Sequence, residues 1–394
     1  MKRHVLTPIV CVILYLHFCS CSATVKNNKM SGAEEILIDM RHQTELSLDS
    51  IVKKVECIKL ETTNKSIIGK VSQILFTNNS IIVVDGESAM TINVFDVKGK
   101  FKYQIGQRGK GPGEYVEISN VSIEPRRNRI AVLDRMQNKV IYYAMNGDYD
   151  YSERTPFMLN YFEYLKNGFK AYYKYGMEDP RLGKFKYNPL IVTNPQNKIV
   201  YGDCDDLYEP NHFTYTMHRP LRKFSDEVYF SSNFSNTIYQ VTDKMIVPKY
   251  HINIAWNAMP IINEQTTNKL FSEYCSRYII FNGDIVELKD LSYINLMTPT
   301  GYPFVVYSHA KKKTFFSTDR GSHPLFPFIE GKAPLARYKD NAVVFDVSAY
   351  QLLMNKEKLY KSLSAKGLLD DLYNGLTENS NPVLIICHLN KDIE

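Results

Sequence analysis

Ile81-Ile82-Val83-Val84-Asp85 and Arg129-Ile130-Ala131-Val132-Leu133-Asp134 decide the fold. Each is a short run rich in β-branched residues that stops on an aspartate, and the two aspartates lie 49 residues apart. A second run follows each one: Ile92-Asn93-Val94-Phe95-Asp96 after the first, Val140-Ile141-Tyr142-Tyr143 after the second. Gly99, in Asp96-Val97-Lys98-Gly99-Lys100, then matches Gly147, in Met145-Asn146-Gly147-Asp148, at 48 residues. Both units read strand, Asp-ended turn, strand, glycine turn, strand. β-Branched and aromatic runs bounded by turn residues are strands. A period of roughly 40–50 residues with several strands per unit is the signature of a propeller blade.

Fainter copies continue downstream. Val228-Tyr229-Phe230-Ser231 precedes Thr237-Ile238-Tyr239-Gln240-Val241, and Phe304-Val305-Val306-Tyr307 precedes Thr314-Phe315-Phe316-Ser317. Ala342-Val343-Val344-Phe345-Asp346 is a further run. A chain of 394 residues has room for six such units plus insertions. Two stretches break the rhythm. From Asn263 to Ser276 the spacing is helical, with Leu270, Phe271 and Tyr274 on one side. Tyr350 to Leu376 is amphipathic through Leu353, Tyr360, Leu363, Leu368, Leu369, Leu372 and Leu376, and Gly367 predicts a break into two short helices. The fully apolar Pro382-Val383-Leu384-Ile385-Ile386-Cys387 predicts a final strand. A ring of sheets stays shut only if its ends are fastened, and a closing strand near 382–389 would remove an exposed edge.

Composition agrees with an all-β chain: aromatics make up 12%, with 28 Tyr against 1 Trp. The formal net charge is +6, and without Lys2 and Arg3 it is +4, from 46 basic and 42 acidic residues. So mild an excess, spread along the chain, gives no nucleic-acid footprint.

The N-terminus carries a different signal. Met1-Lys2-Arg3-His4 is basic, and Val5 to Leu16 is apolar apart from Thr7 and Pro8. That run is shorter than the roughly 20 residues a bilayer span needs, and it reads as the core of a signal peptide over residues 1–20. Phe18-Cys19-Ser20-Cys21 then resembles a bacterial lipobox, which implies a lipid on Cys21. Residues 21–34 read as a polar tether and residues 35–394 as the propeller. The remaining cysteines of the body, Cys57, Cys204, Cys275 and Cys387, are far apart and form no zinc-binding C-x-x-C pair. They are expected as buried free thiols. If any pair is bonded, it is Cys57 with Cys387, which chain closure would bring together.

Ile105-Gly106-Gln107-Arg108-Gly109-Lys110-Gly111-Pro112-Gly113-Glu114-Tyr115 resembles the inter-blade segment of NHL-repeat propellers. Ile130 to Val140 likewise resembles the strand, aspartate, Asn138 and basic residue that precede the next strand in those repeats. With Leu60-Glu61-Thr62-Thr63 and Asn381-Pro382-Val383-Leu384, the chain resembles a family of six-bladed propeller lipoproteins of Gram-negative gut anaerobes. The resemblance implies an all-β, six-bladed β-propeller of four-stranded antiparallel sheets, with short helical insertions near 263–276 and 350–376. It also implies a cell-envelope location on a lipid anchor.

Candidate chemistry is sparse. The glycine-rich segment 106–113 lacks the Gly-Lys-Ser/Thr that opens a helix in a phosphate loop, so it reads as a tight crossing between blades where a Cβ would clash. Asp85, Asp134 and Asp346 either cap turns through backbone N–H groups or line a channel and hold a cation; their repetition favours capping. His212 and His218, six apart, have neither strand nor helix metal-ligand spacing. The aromatics from Phe157 to Tyr175 are either sheet packing or a stacking platform for sugars or peptides. No nucleophile-and-base pattern stands out, and neither a metal nor another cofactor is implied. The expected role is a non-catalytic binding or protein-interaction module for a glycan, peptide or envelope-protein ligand. The alternative is a propeller hydrolase or lyase acting on an extracellular polymer such as a glycan.

Overall fold

In the computed structural model, described over residues 32–43, 45–174, 178–204, 219–263, 265–319, 321–361 and 366–394, the repeats become blades. Ile81–Asp85 lies between Gln73–Phe76 and Thr91–Phe95, with Phe101–Gln104 outermost, all antiparallel. Every position of Ile81–Asp85 is buried. A strand covered on both faces reads as a continuous apolar run instead of an alternating one. The faces go to different neighbours: Ile82 and Val84 pack on Ile130, Val132 and Ile141 of the next unit. Ile81 and Val83 pack on Val344, Leu384 and Ile386 from the far end of the chain. Blade 1 therefore sits between blade 2 and the last blade, and the ring is closed.

Six four-stranded antiparallel units make up the ring. Blade 2 spans 120–154, blade 3 161–203, blade 4 221–254 and blade 5 280–317. Blade 6 is assembled from both ends of the chain. Its order is Val52–Lys59, Val383–Leu389, Ala342–Val347, Ala336–Tyr338, so an N-terminal strand covers the C-terminal one. The all-β, six-bladed expectation is met.

Three details differ from it. Blade 4 carries a fifth strand, Glu34–Ile38, laid parallel along its outer strand Ile246–Ile254. Lys312 of blade 5 donates to both oxygens of Glu34 at 2.8 Å, and Tyr307 of blade 5 also bonds that carboxylate. Leu46 N then donates to Phe316 O at 3.0 Å before the chain enters blade 6. Residues 34–59 thus belt the rims of blades 4, 5 and 6. The first insertion helix is shorter than its periodicity suggested, Asn268–Arg277, capped by the Thr267 hydroxyl on Leu270 N. Asn263 to Thr266 instead forms a side-chain-bonded turn. The second insertion, between two strands of blade 6, shows three helices among the described residues where two were expected: Ala349–Met354, Lys356–Tyr360 and Lys366–Tyr373. Gly367 lies in the first turn of the last of them and breaks nothing. Cys57 and Cys387 form no disulfide, in keeping with the expectation of free thiols. Cys57 pairs across the strands with Ile385, and Cys387 with Val55, so the two thiols are diagonal neighbours on one face. Burial pushes the Cys57 thiol up to about 12, the Glu56 carboxylate adding to the effect. Cys204 and Cys275 form no disulfide among the described residues either. Cys21, with the rest of residues 1–31, lies outside the described residues.

Candidate site in the central channel

The first strand of each blade lines a central cavity of about 560 Å³. Most of these strands carry few charges, but the entry to blade 4 carries three. Arg219 immediately precedes Leu221–Phe224, which holds Arg222 and Lys223. Glu163, from the first strand of blade 3, and Asp284, from blade 5, face them.

Local sequence explains how the carboxylates reach the channel. Tyr161–Tyr164 alternates, and Glu163 points inward and is buried. In Ile280–Glu287 the pairing slips between Phe281 and Ile285, so that Asn282, Gly283 and Asp284 bulge out of the ladder. Gly283 has φ +92°, open to glycine and strained for other residues. Blade 4 holds the bulge in place: Ser231 Oγ donates to Gly283 O at 2.7 Å, and Arg222 Nη1 donates to Ile285 O at 2.7 Å. Asn282 Oδ1 accepts from Asp284 N at 3.0 Å.

The charges sort into a pair and a remainder. Arg222 pairs with Asp284, and its Nε donates to Arg219 O at 3.0 Å. Burial, with the adjacent Arg219, pulls the Arg222 guanidinium down to about 9. Arg219 reaches across the channel and donates to Ser72 O of blade 1, diametrically opposite. Lys223 donates to Tyr164 O at 3.0 Å. Burial pulls the Lys223 ammonium down, with Glu163 and Asp226 opposing. Glu163 Oε2 accepts from Ser122 Oγ at 2.6 Å. Burial nevertheless pushes its carboxyl up to about 7, against the Ser122 hydrogen bond and the attraction of Lys223 and Arg219. Around this cluster the inner ring is stitched side chain to backbone: Gln73 of blade 1 donates to Val121 O at 2.7 Å and accepts from Val121 N at 3.1 Å. A second recess, over the turns of blades 4 and 5, also holds charges of both signs, but Glu287 there is taken by Tyr250, Ser292 and the nearby His309.

The residues that sequence reasoning singled out lie elsewhere. Asp85 accepts from the backbone N–H groups of Gly69, Lys70, Ser88 and Ala89 at 2.7–3.0 Å. Burial opposes its ionisation, but those four groups win and hold its carboxyl below the usual range. Asp134 accepts from Val116 N at 2.6 Å and Gln137 N at 2.9 Å. Both are caps, and neither lines the channel. Asp346 does not follow them: Val347 continues its strand, and only its backbone carbonyl is engaged, by Lys332 at 2.6 Å. Segment 106–113 is a crossing between blades 1 and 2, where a Cβ on Gly106 would stand 2.4 Å from the Tyr143 hydroxyl. Phe157, Phe162, Tyr164, Tyr172 and Tyr173 are buried between blades, so these aromatics are packing. Tyr175, His212 and His218 lie outside the described residues. Among the described residues no group of three or more His, Cys, Asp or Glu is placed to hold a metal ion.

Sequence reasoning missed the channel cluster. A signal was present: Leu221-Arg222-Lys223-Phe224 puts two cations directly ahead of a strand run, and Asn282-Gly283-Asp284 interrupts an apolar one.

Known structures share this architecture. A crystal structure of a Bacteroides fragilis protein assigned to export is similar at TM-score 0.73 and 22% identity, over 90% of this chain and 99% of its own. A member of the DUF4221 family from Bacteroides vulgatus is similar at TM-score 0.51 and 9% identity, over 86% and 97%. At these identities the likeness concerns the fold. No curated protein sequence matches the chain. Residues 34–388, from the belt to the closing strand, match the family described as Domain of unknown function (DUF4934), and the chain belongs to that family.

Proposed function

We propose that this protein is an exported lipoprotein, acylated at Cys21, whose propeller is a non-catalytic binding module of the cell envelope with its ligand site in the central channel. The observation that carries the binding role is the channel itself: a cavity of about 560 Å³ in which charged side chains from four blades converge. Concave sites with a few convergent polar groups are where proteins hold ligands. The address draws support from the basic and apolar N-terminus, and from a similar protein being one assigned to export. No helix among the described residues is long and apolar enough to cross a membrane. Glycans, peptides and envelope proteins are the ligand classes in view.

One experiment addresses both halves. The native chain, Cys21→Ser and Ala333→Trp, which plugs the channel, are expressed in a Gram-negative anaerobe with labelled palmitate. The purified proteins are then screened on glycan, peptide and envelope-protein arrays. The native chain takes the label and sediments with membranes, and Cys21→Ser does neither. Retention of an array ligand is lost in Ala333→Trp. An unlabelled native chain would defeat the anchor, and undiminished retention by the plugged chain would defeat the channel as the site.

A second reading, a hydrolase or lyase on an extracellular polymer, has one observation in its favour. The Glu163 carboxyl, poised at about 7 in a cleft, has the acidity of a general acid or base. Turnover of a polymer that Glu163→Gln abolishes would select it.

A further inference from the structure

The channel's charges do not balance. Arg222 and Asp284 neutralise each other. Of the other charges on the cavity wall, Arg219, Lys223, Arg337 and Lys339 are cations and Glu163 and Asp226 are carboxylates, an excess of positive charge. Among the described residues neither Arg219 nor Lys223 has a carboxylate within ion-pair distance. The hydrogen bonds recorded for them are one each, to the carbonyls of Ser72 and Tyr164. A guanidinium carries five N–H donors and an ammonium three, and a buried charge without a counter-ion is costly. Both cations border the same cavity, open on its other walls to Gln73 and to the apolar Leu75, Val286 and Leu335.

We propose that the central channel binds a small organic carboxylate, with the Arg219 guanidinium as its planar, two-pronged partner and Lys223 as the second cation. The inference rests on the channel being a binding site and names what it takes. Size and charge select the class. A cavity of about 560 Å³ suits a molecule of sugar-acid dimensions. The lining carries five cations against three carboxylates, so it is net positive even with Glu163 ionised and favours an anion. A planar carboxylate also matches the guanidinium fork.

Glu163 makes the site sensitive to protons. Four groups bear on it: Ser122 from blade 2, Arg219 and Lys223 from blade 4, and the Tyr164 backbone N–H on its own strand. A bound carboxylate draws on the same two cations, so Glu163 loses part of what keeps it ionised and takes up a proton. Its carboxyl, already pushed up to about 7 by burial, is placed to do so near neutral pH. Binding therefore tightens as the pH falls through 7.

The test is titration calorimetry of the native chain, Arg219→Gln and Glu163→Gln with glucuronate and lactate as probes, and glucose and glycerol as their uncharged counterparts. At least one carboxylate binds saturably at pH 6, while glucose and glycerol do not. Its affinity falls several-fold by pH 8.5, and at pH 7.5 binding takes up a fraction of a proton, read from buffers of different ionisation heat. Arg219→Gln loses at least tenfold. Glu163→Gln binds at pH 8.5 as tightly as the native chain does at pH 6, a gain that no folding defect produces. A neutral probe that binds as well as its acid, or an unchanged pH profile in Glu163→Gln, would overturn the inference and leave the binding module standing. No saturable binding of any probe, together with empty arrays, would overturn both.

Discussion

At the scale of single residues, the same side-chain type plays opposite parts according to what surrounds it. Asp85 and Glu163 are both buried carboxylates. Asp85 meets four backbone N–H groups and stays ionised; Glu163 meets one hydroxyl and two cations beyond contact, and burial prevails. The consequence for stability has a definite sign. Glu163 has an ordinary value of 4.5 and about 7 in the fold. A carboxyl raised by folding favours the native state while it is protonated, below its unfolded value. That advantage is lost as the pH rises through the folded value. At about 1.4 kcal/mol per pKa unit, the loss is of order 3 kcal/mol. Urea unfolding at pH 5 and pH 8 should show it, and Glu163→Gln should remove most of the difference. An identical pH dependence in that variant would mean the carboxyl is not buried as described. Asn138 shows a residue whose type is set by backbone: it sits at φ +50° in the turn after Asp134, a conformation asparagine tolerates.

At the scale of elements, legibility tracked burial. The second strands, such as Arg129–Asp134, are buried at every position, and their apolar runs stood out in the sequence. First strands such as Ala336–Tyr338 are short and give part of one face to the polar channel, so they carried little pattern and the site on them went unread. Glu34–Ile38 was equally quiet, because its pairing partner lies over 200 residues away. The helical insertion misled through Gly367, which a first helical turn accommodates. The contrast between strand and surface predicts mutational cost. Ile386, wholly buried on the closing strand against blade 1, should lose about 2–5 kcal/mol on conversion to Ala. Met136→Ala, at a site 68% exposed, should stay within about 0.5 kcal/mol. Equal denaturation midpoints for the two variants would contradict this packing.

At the scale of the whole molecule, the belt of residues 34–59 does two separable jobs. Glu34–Ile38 braces blades 4 and 5 from outside, while Val52–Lys59 completes blade 6. A chain begun at Glu45 should therefore close its ring and melt a few degrees lower. A chain begun at Gly69 should fail to give a cooperative melt, since blade 6 is left with an open edge. Circular dichroism on the two truncations reads both outcomes, and a cooperative melt from the shorter chain would show that the outermost strand is dispensable.

Blade 6 also sets a clock. Val52–Lys59 leaves the ribosome more than 300 residues before the strand it must lie against, Val383–Leu389. Whatever folds in between, the disc stays an arc until that strand is made. A chain that stopped short of Val383 would not be a slightly trimmed protein; it would be a horseshoe with two sticky ends.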